Sequence, residues 1–357
     1  MDILLSENNS KQNLYPFTQT RHTADIRTGI LTIREKWEYN GYFTIHTGEG
    51  STTISNSNPG SLSFNASLIP TAEWLNALKD SIINNTSQPD PALEIYDTKT
   101  LTSPVQIFEF NEWAIRKDFE LITAGRQSQP ISPTNSVINE DQVFIEEGAS
   151  VEYSIINAST GPVYIGRDAI IMEGCMIRGP FALCNGATLK MGTKVYGGTT
   201  IGPYCKVAGE LKSAMLFGYS NKPHDGYLGA SVIGEWCNLG AGTTNSNVKN
   251  NAGEILLWNQ PEKRYIPAGR KIGLLMGDYS RSAINTSFNT GTVVGICCNI
   301  YGEGFPPKYI PDFTWGKIPY ELPKVMQDID NWKKLKGLDI TEEEIQLLTD
   351  LYNNKLL

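Results

Sequence analysis

The sequence predicts a short α/β unit joined to a β-solenoid of six-residue repeats, with helices at the C-terminus. Three observations carry this. Stepping by six from Ile165 meets Ile171, Ile177, Leu183, Leu189, Val195, Ile201 and Val207, all branched aliphatics. If such residues fill about a quarter of an average chain, an unbroken row of this length is not a chance pattern. A period of six fits neither the 3.6 of a helix nor the alternation of an exposed strand, and it marks a parallel β-helix. Residues 1–125 lack this register, and their short apolar runs alternate with helical patterns such as "TAEWLNALKDSIINN". Past residue 305, apolar residues return at helical spacing.

Taken in order, residues 1–125 form the α/β unit. Residues 126–138, opening with "RQSQPISPTNS", are rich in Ser, Pro and Gln and are expected to be a linker. The solenoid is expected over 139–305. Its register returns at Ile233 and Leu239, and again at Phe288, Val294 and Ile300. Four places after each inward aliphatic the chain turns a corner, and small residues stand there: Ala169, Cys175, Ala187, Thr193, Thr199, Cys205, Cys237, Thr243, Thr292 and Cys298, with Phe181 the exception. Four of the six cysteines are thus expected to be small core fillers. None of the six makes a C-x-x-C pair, so neither a zinc nor a redox motif is expected. Two segments, 208–227 and 244–271, break the register and are expected as functional excursions. The tail 306–357 predicts two helices. Val325, Ile329 and Trp332 share one face, and Thr341 with Glu344 forms a capping box before the second. Such a tail would cover the end of the solenoid.

With 357 residues the chain has room for two domains. A net charge of −8 argues against a general nucleic-acid binder and leaves room for small basic sites. No apolar run approaches a membrane span, and the first residues have no secretory pattern. A cytoplasmic protein with reduced thiols is the expectation.

The stretch "SNKPHDGYLGASVIGEWCNLGAGTT" (220–244) holds one of only three histidines. His224, between Pro223 and Asp225-Gly226, has the composition of a turn. It is also the candidate proton acceptor, because an imidazole titrates near neutrality without extreme tuning. His22 and His46 have no such surroundings and are assigned structural roles.

The segment resembles the acetyltransferase half of the bifunctional glucosamine-1-phosphate acetyltransferase/N-acetylglucosamine-1-phosphate uridyltransferases and their archaeal sugar-1-phosphate relatives. That family shows His-x-x-Tyr-x-Gly, an apolar-Gly step, Asn-apolar-Gly-Ala-Gly-Thr and a further Asn. Here these are His224, Tyr227, Gly229, Ile233-Gly234, Asn238-Leu239-Gly240-Ala241-Gly242-Thr243 and Asn247. The resemblance implies a left-handed β-helix, a homotrimer with sites between neighbours, and acetyl-CoA as co-substrate. It implies His224 as general base and Asn247 near the reacting acetyl group. Tyr227 and Asn238 would hold the amino sugar phosphate, and Ala241 would make a backbone contact to acetyl-CoA. Counting coils puts Lys190, and counting back from His224 puts Lys212, where the family has its phosphate-binding cations. Val248 stands where the family has tyrosine.

Residues 14–27, "LYPFTQTRHTADIR", are similar to the first loop of sugar nucleotidyltransferases. The preceding "LLSENNSKQN" lacks the glycines that let backbone amides approach phosphate. A degenerate nucleotidyltransferase-like unit is expected, with Mg²⁺ needed only if it is active. Three functions follow. The first is N-acetyl transfer to an amino sugar phosphate or sugar nucleotide. The second is nucleotidyl transfer through residues 1–125. The third is a non-catalytic module that binds sugar nucleotides and assembles other proteins.

Overall fold

The computed structural model describes residues 2–7, 10–47 and 62–355. Its main body is a β-solenoid of about ten turns, whose strands run from Ser136–Ile138 to Thr314–Trp315. Successive coils stack in parallel register, so that Ile171 lies on Val151, Leu189 on Ile171 and Val207 on Leu189. Every aliphatic of the six-residue series is buried in one core, together with Ile233, Leu239, Phe288, Val294 and Ile300. Cys175, Cys205, Cys237 and Cys298 belong to that core, and all six cysteines are free thiols. Phe181, the exception at the corners, is also fully buried there. Each such side chain contributes about 1.5–3 kcal/mol on leaving water, so truncating Leu189 to Ala would cost about 2–5 kcal/mol.

Two faces of the solenoid merge into one thirteen-stranded sheet, and the third is a ten-stranded sheet. The merging is the work of two long strands, Glu210–Leu216 and Tyr227–Ile233, which pair with each other from end to end across a corner. This explains the break at 208–227. The segment is a wall of the solenoid, shortened rather than thrown out. Leu189 follows Ile171, and Val207 follows Leu189, by 18 residues, but Lys222 pairs with Val207 after only 15. The shortened coil sets Lys222 in line with the inward ladder.

The second break is an insertion. Asn238 pairs with Arg281, and the intervening chain forms an antiparallel hairpin, Leu256–Asn259 with Arg264–Pro267. Ile255 and Leu257 of this excursion pack into the core of the N-terminal unit.

That unit has three parallel strands. Asp2–Ser6 lies between Phe43–Thr47, which contains His46, and Leu62–Asn65. Helices Ile33–Tyr39 and Ala72–Ile83 begin on Thr caps, the first a full capping box between Thr32 and Glu35. The unit shares one apolar core with the outward side chains Met215, Phe217, Val232, Leu275 and Val293 of the solenoid. Between the two, residues 126–135 run along the first coil, with Arg126 paired to Glu146 at 2.6 Å and Gln129 donating to the Ile145 carbonyl.

Helices Leu322–Lys334 and Glu342–Lys355 complete the chain. The capping box of Thr341 and Glu344 is formed in both directions. Val325, Ile329 and Leu348 pack on Trp236, Tyr279, Ile296 and Phe313. The tail therefore covers a flank of the solenoid across several coils, because those outward positions carry apolar and aromatic residues. Its Lys336 reaches back to the Tyr204 carbonyl at 2.8 Å. No helix among the described residues is long and apolar enough to cross a membrane.

Candidate active site

On the ten-stranded face, the outward positions of successive coils are polar: Thr188, Lys206, Asn221, Asn238, Arg281 and Asn299 stand in register. The first C-terminal helix lies beside this stripe and leaves a cavity of about 460 Å³. His224, Asn238 and Ala241 line it together with Lys206 and Asn221, and Trp332, Leu335 and Lys336 form the opposite wall. Three residues singled out in the sequence thus share one cavity.

His224 sits at the corner between this face and the next, and its side chain is exposed. Among the described residues no group hydrogen-bonds its ring, so the imidazole is open to the cavity. Gly226 follows at φ 128°, in the region that favours glycine. A Cβ there would lie 2.1 Å from the Thr243 carbonyl oxygen of the next coil. The corner is therefore possible only with glycine.

Lys336 donates to Asn221 Oδ1 at 3.3 Å as well as to Tyr204, and burial lowers its pKa. Behind the wall, the Arg281 guanidinium lies 5.6 Å from the Trp332 ring centre, with Nε and Nη2 lacking hydrogen-bond partners. Burial lowers its pKa, and the nearby Tyr320 opposes that shift most. Lys206, Lys336 and Arg281 together make the surroundings of the cavity electropositive.

The other sequence candidates lie elsewhere. Tyr227 begins the strand on the adjacent face, and its hydroxyl accepts from Asn247 Nδ2 at 3.1 Å. Burial raises the Tyr227 pKa, partly offset by Asn247. Lys212 pairs in register with Gly229 and lies 5.6 Å from the Tyr196 ring centre. Tyr227, Asn247 and Lys212 therefore form a second cluster around the corner from the cavity. Lys190 donates its backbone N–H to Val207 and is absent from the cavity wall. Trp332, Leu335 and Lys336 escaped sequence reasoning because only the docking of the tail brings them here. Lys206 and Asn221 had a usable signal, their register with Asn238, hidden by the shortened coil.

In the N-terminal unit, the nucleotide-loop-like phrase faces inward. Leu14, Phe17 and Thr18 are fully buried. Arg21 forms an ion pair with Asp278, lies 3.4 Å from Glu235, and sits over the Phe217 ring at 4.9 Å. Burial alone would lower the arginine pKa, but Asp278 and Glu235 outweigh it and hold the charge. His22 Nδ1 accepts from the Ala24 N–H and caps a short turn. No cluster of three or more His, Cys, Asp or Glu able to hold a metal ion occurs among the described residues.

A family model described as sugar nucleotidyl transferase matches residues 3–82. The bifunctional protein GlmU of Methanocaldococcus jannaschii is 35% identical over 89 residues, covering 25% of this chain and 21% of that protein. The bifunctional sugar-1-phosphate nucleotidylyltransferase/acetyltransferase of Sulfurisphaera tokodaii is 35% identical over 92 residues, or 26% and 23% of the two chains. This chain resembles those bifunctional enzymes. It spans about a fifth of the length of these curated relatives. A crystal structure of PerB from Caulobacter crescentus, in complex with CoA and GDP-perosamine, aligns over 88% of this chain and 93% of that one at 10% identity. Its TM-score of 0.15 is too low to carry a structural argument.

Proposed function

We propose that the protein transfers an acetyl group from acetyl-CoA to the amine of an amino sugar phosphate or amino sugar nucleotide, with His224 as general base. The observation that carries this reading is the shared cavity of His224, Asn238 and Ala241, bordered by cations. The substrate amine attacks the thioester carbonyl. The N–C bond forms, the C–S bond breaks, and His224 takes the amine proton and passes it to the departing thiolate. Asn238 faces the sugar, and the Ala241 backbone lies on the acetyl-CoA side. Lys206 and Lys336 are placed to receive phosphate on this face.

Tyr227, Asn247, Lys190 and Lys212 join the reaction in this reading when a second copy of the chain packs alongside. The Tyr227–Asn247 pair then faces a neighbour's cavity, Asn247 polarises the acetyl carbonyl, and the two lysines add phosphate contacts. A homotrimer satisfies this arrangement with closed symmetry. Nucleotidyl transfer through the N-terminal unit is disfavoured by one observation. Arg21 of the nucleotide-loop-like phrase is buried against Asp278 of the solenoid. Release of free CoA thiol over a panel of amino sugars, beginning with glucosamine 1-phosphate, tests the proposal. Absence of release with every acceptor would overturn it, and pyrophosphate release from UTP would favour the alternative.

A further inference from the structure

One rung of the inward ladder is out of character. Val151, Ile171, Leu189 and Val207 lead to Lys222, and Leu239 follows among the aliphatics. The Lys222 side chain is 1% exposed, among the largest fully buried side chains of the protein. A buried charge is costly unless hydrogen-bonded. Its Nζ donates to the Ala208 carbonyl at 3.2 Å and to the His224 carbonyl at 2.9 Å. Gly209 and Gly226 stand over it, where an added Cβ would come within 2.9 and 3.3 Å of Nζ. Lys222 is thus an ammonium inside the solenoid, directly beneath the corner that carries His224.

We propose that Lys222 is a positioning residue for His224, whose carbonyl it grips from inside the solenoid so that the imidazole faces the cavity. The proposal rests on the proposed function for its catalytic consequence but not for its geometry. No described group holds the His224 ring, so the backbone alone sets the position and direction of the Cα–Cβ bond from which the ring reaches the cavity. The rest of the corner is tied from the neighbouring coils: Glu210 N–H donates to the Gly226 carbonyl at 3.2 Å, and Tyr227 N–H to Thr244 Oγ1 at 3.2 Å. For the His224 carbonyl, Lys222 is the donor among the described residues. Lys222 does not act on substrate itself, because its Nζ faces two carbonyls and is closed off from the cavity. The grip also accounts for a lysine at a ladder position that an aliphatic would fill at lower cost.

The test compares the wild type with Lys222→Met, which keeps the length and apolar volume of the side chain but removes the donors. Lys222→Gln, which keeps one shorter donor, serves if the first variant does not fold. With three histidines in the chain, the imidazole resonances are assigned by loss of one signal in His224→Ala. The expected result is a shifted and broadened His224 imidazole signal, with amide exchange at least about tenfold faster at Glu210 and Tyr227, whose N–H groups tie the corner, and unchanged at Ile171 and Leu189. Turnover should fall about tenfold or more with KM within about twofold, as for a group that aims the base without binding substrate. Lys222→Gln should fall between the two. A folded variant with wild-type His224 resonance and corner exchange would overturn the proposal. If the wild type acetylates no acceptor, the proposed function fails, and the resonance and exchange data still decide the role of Lys222.

Discussion

Lys222→Met should remove a pH dependence of stability whose size is set by the burial of one ammonium group. Burial lowers the Lys222 pKa to about 8, with Asp225 opposing the shift, whereas an unfolded lysine titrates near 10.4. Below about pH 8 both states hold the proton, and the folded state bears the full cost of the buried charge. Between about pH 8 and 10.4 the folded chain has released its proton and the unfolded chain has not. Stability therefore rises with pH across that window, at about 1.4 kcal/mol per unit. Over roughly 2.4 units the total is about 3 kcal/mol. Methionine has nothing to titrate. The stability of the wild type minus that of Lys222→Met should accordingly climb by about 3 kcal/mol between about pH 7 and 10.5. Tyrosines and thiols that titrate in the same range are common to both proteins and cancel in the difference. The gap at pH 7 itself should be small. Relief of the charge-burial cost is offset by two carbonyls losing a donor, at about 1–3 kcal/mol each. Urea unfolding of both proteins at several pH values, with m compared to confirm equal exposure of surface, measures the difference. A pH-independent difference would refute the buried-ammonium reasoning, and a difference falling with pH would reverse its sign.

His224→Ala should lower acetyl transfer by about two to four powers of ten with an unchanged circular dichroism spectrum. A folded variant with near wild-type turnover would leave Pro-His-Asp-Gly as a turn. Lys336→Ala should raise the acceptor KM and leave kcat unchanged, since a phosphate contact serves ground and transition states alike; equal kcat in the two proteins at saturating acceptor checks it. Arg21→Ala strands the buried Asp278 without its cation and should destabilise the protein by about 3–5 kcal/mol, read as a lower urea midpoint. Light scattering should show three copies per particle, and Asn247→Ala mixed with His224→Ala should partly regain activity if sites form between chains. A monomer with full activity would sink the shared-site reading.

The six-residue register determined the solenoid by itself, because each inward aliphatic must rest on its counterpart in the next coil, as Ile171, Leu189 and Val207 do. The helical face of Val325 and Ile329 and the capping box at Thr341 are equally local, and they were legible for that reason. The ordered His224, Asn238 and Ala241 could be picked out as a group only through the motif's resemblance to a known family, and the coil then brings them to one cavity. Tertiary structure decided the rest. Whether residues 208–227 form a loop or a wall depends on pairing between Glu210–Leu216 and Tyr227–Ile233, which no local pattern announces. The shortened coil that follows moved Lys222 into the core and brought Lys206 into line with Asn221. Trp332 and Lys336 reach the cavity through the docking of a helix more than a hundred residues downstream of His224. Arg21 was recognisable as part of a nucleotide-loop phrase, but its burial against Asp278 follows from how two units pack. Sequence period specifies what stacks on itself, whereas a cavity between a solenoid and a docked helix exists only once both surfaces are in place.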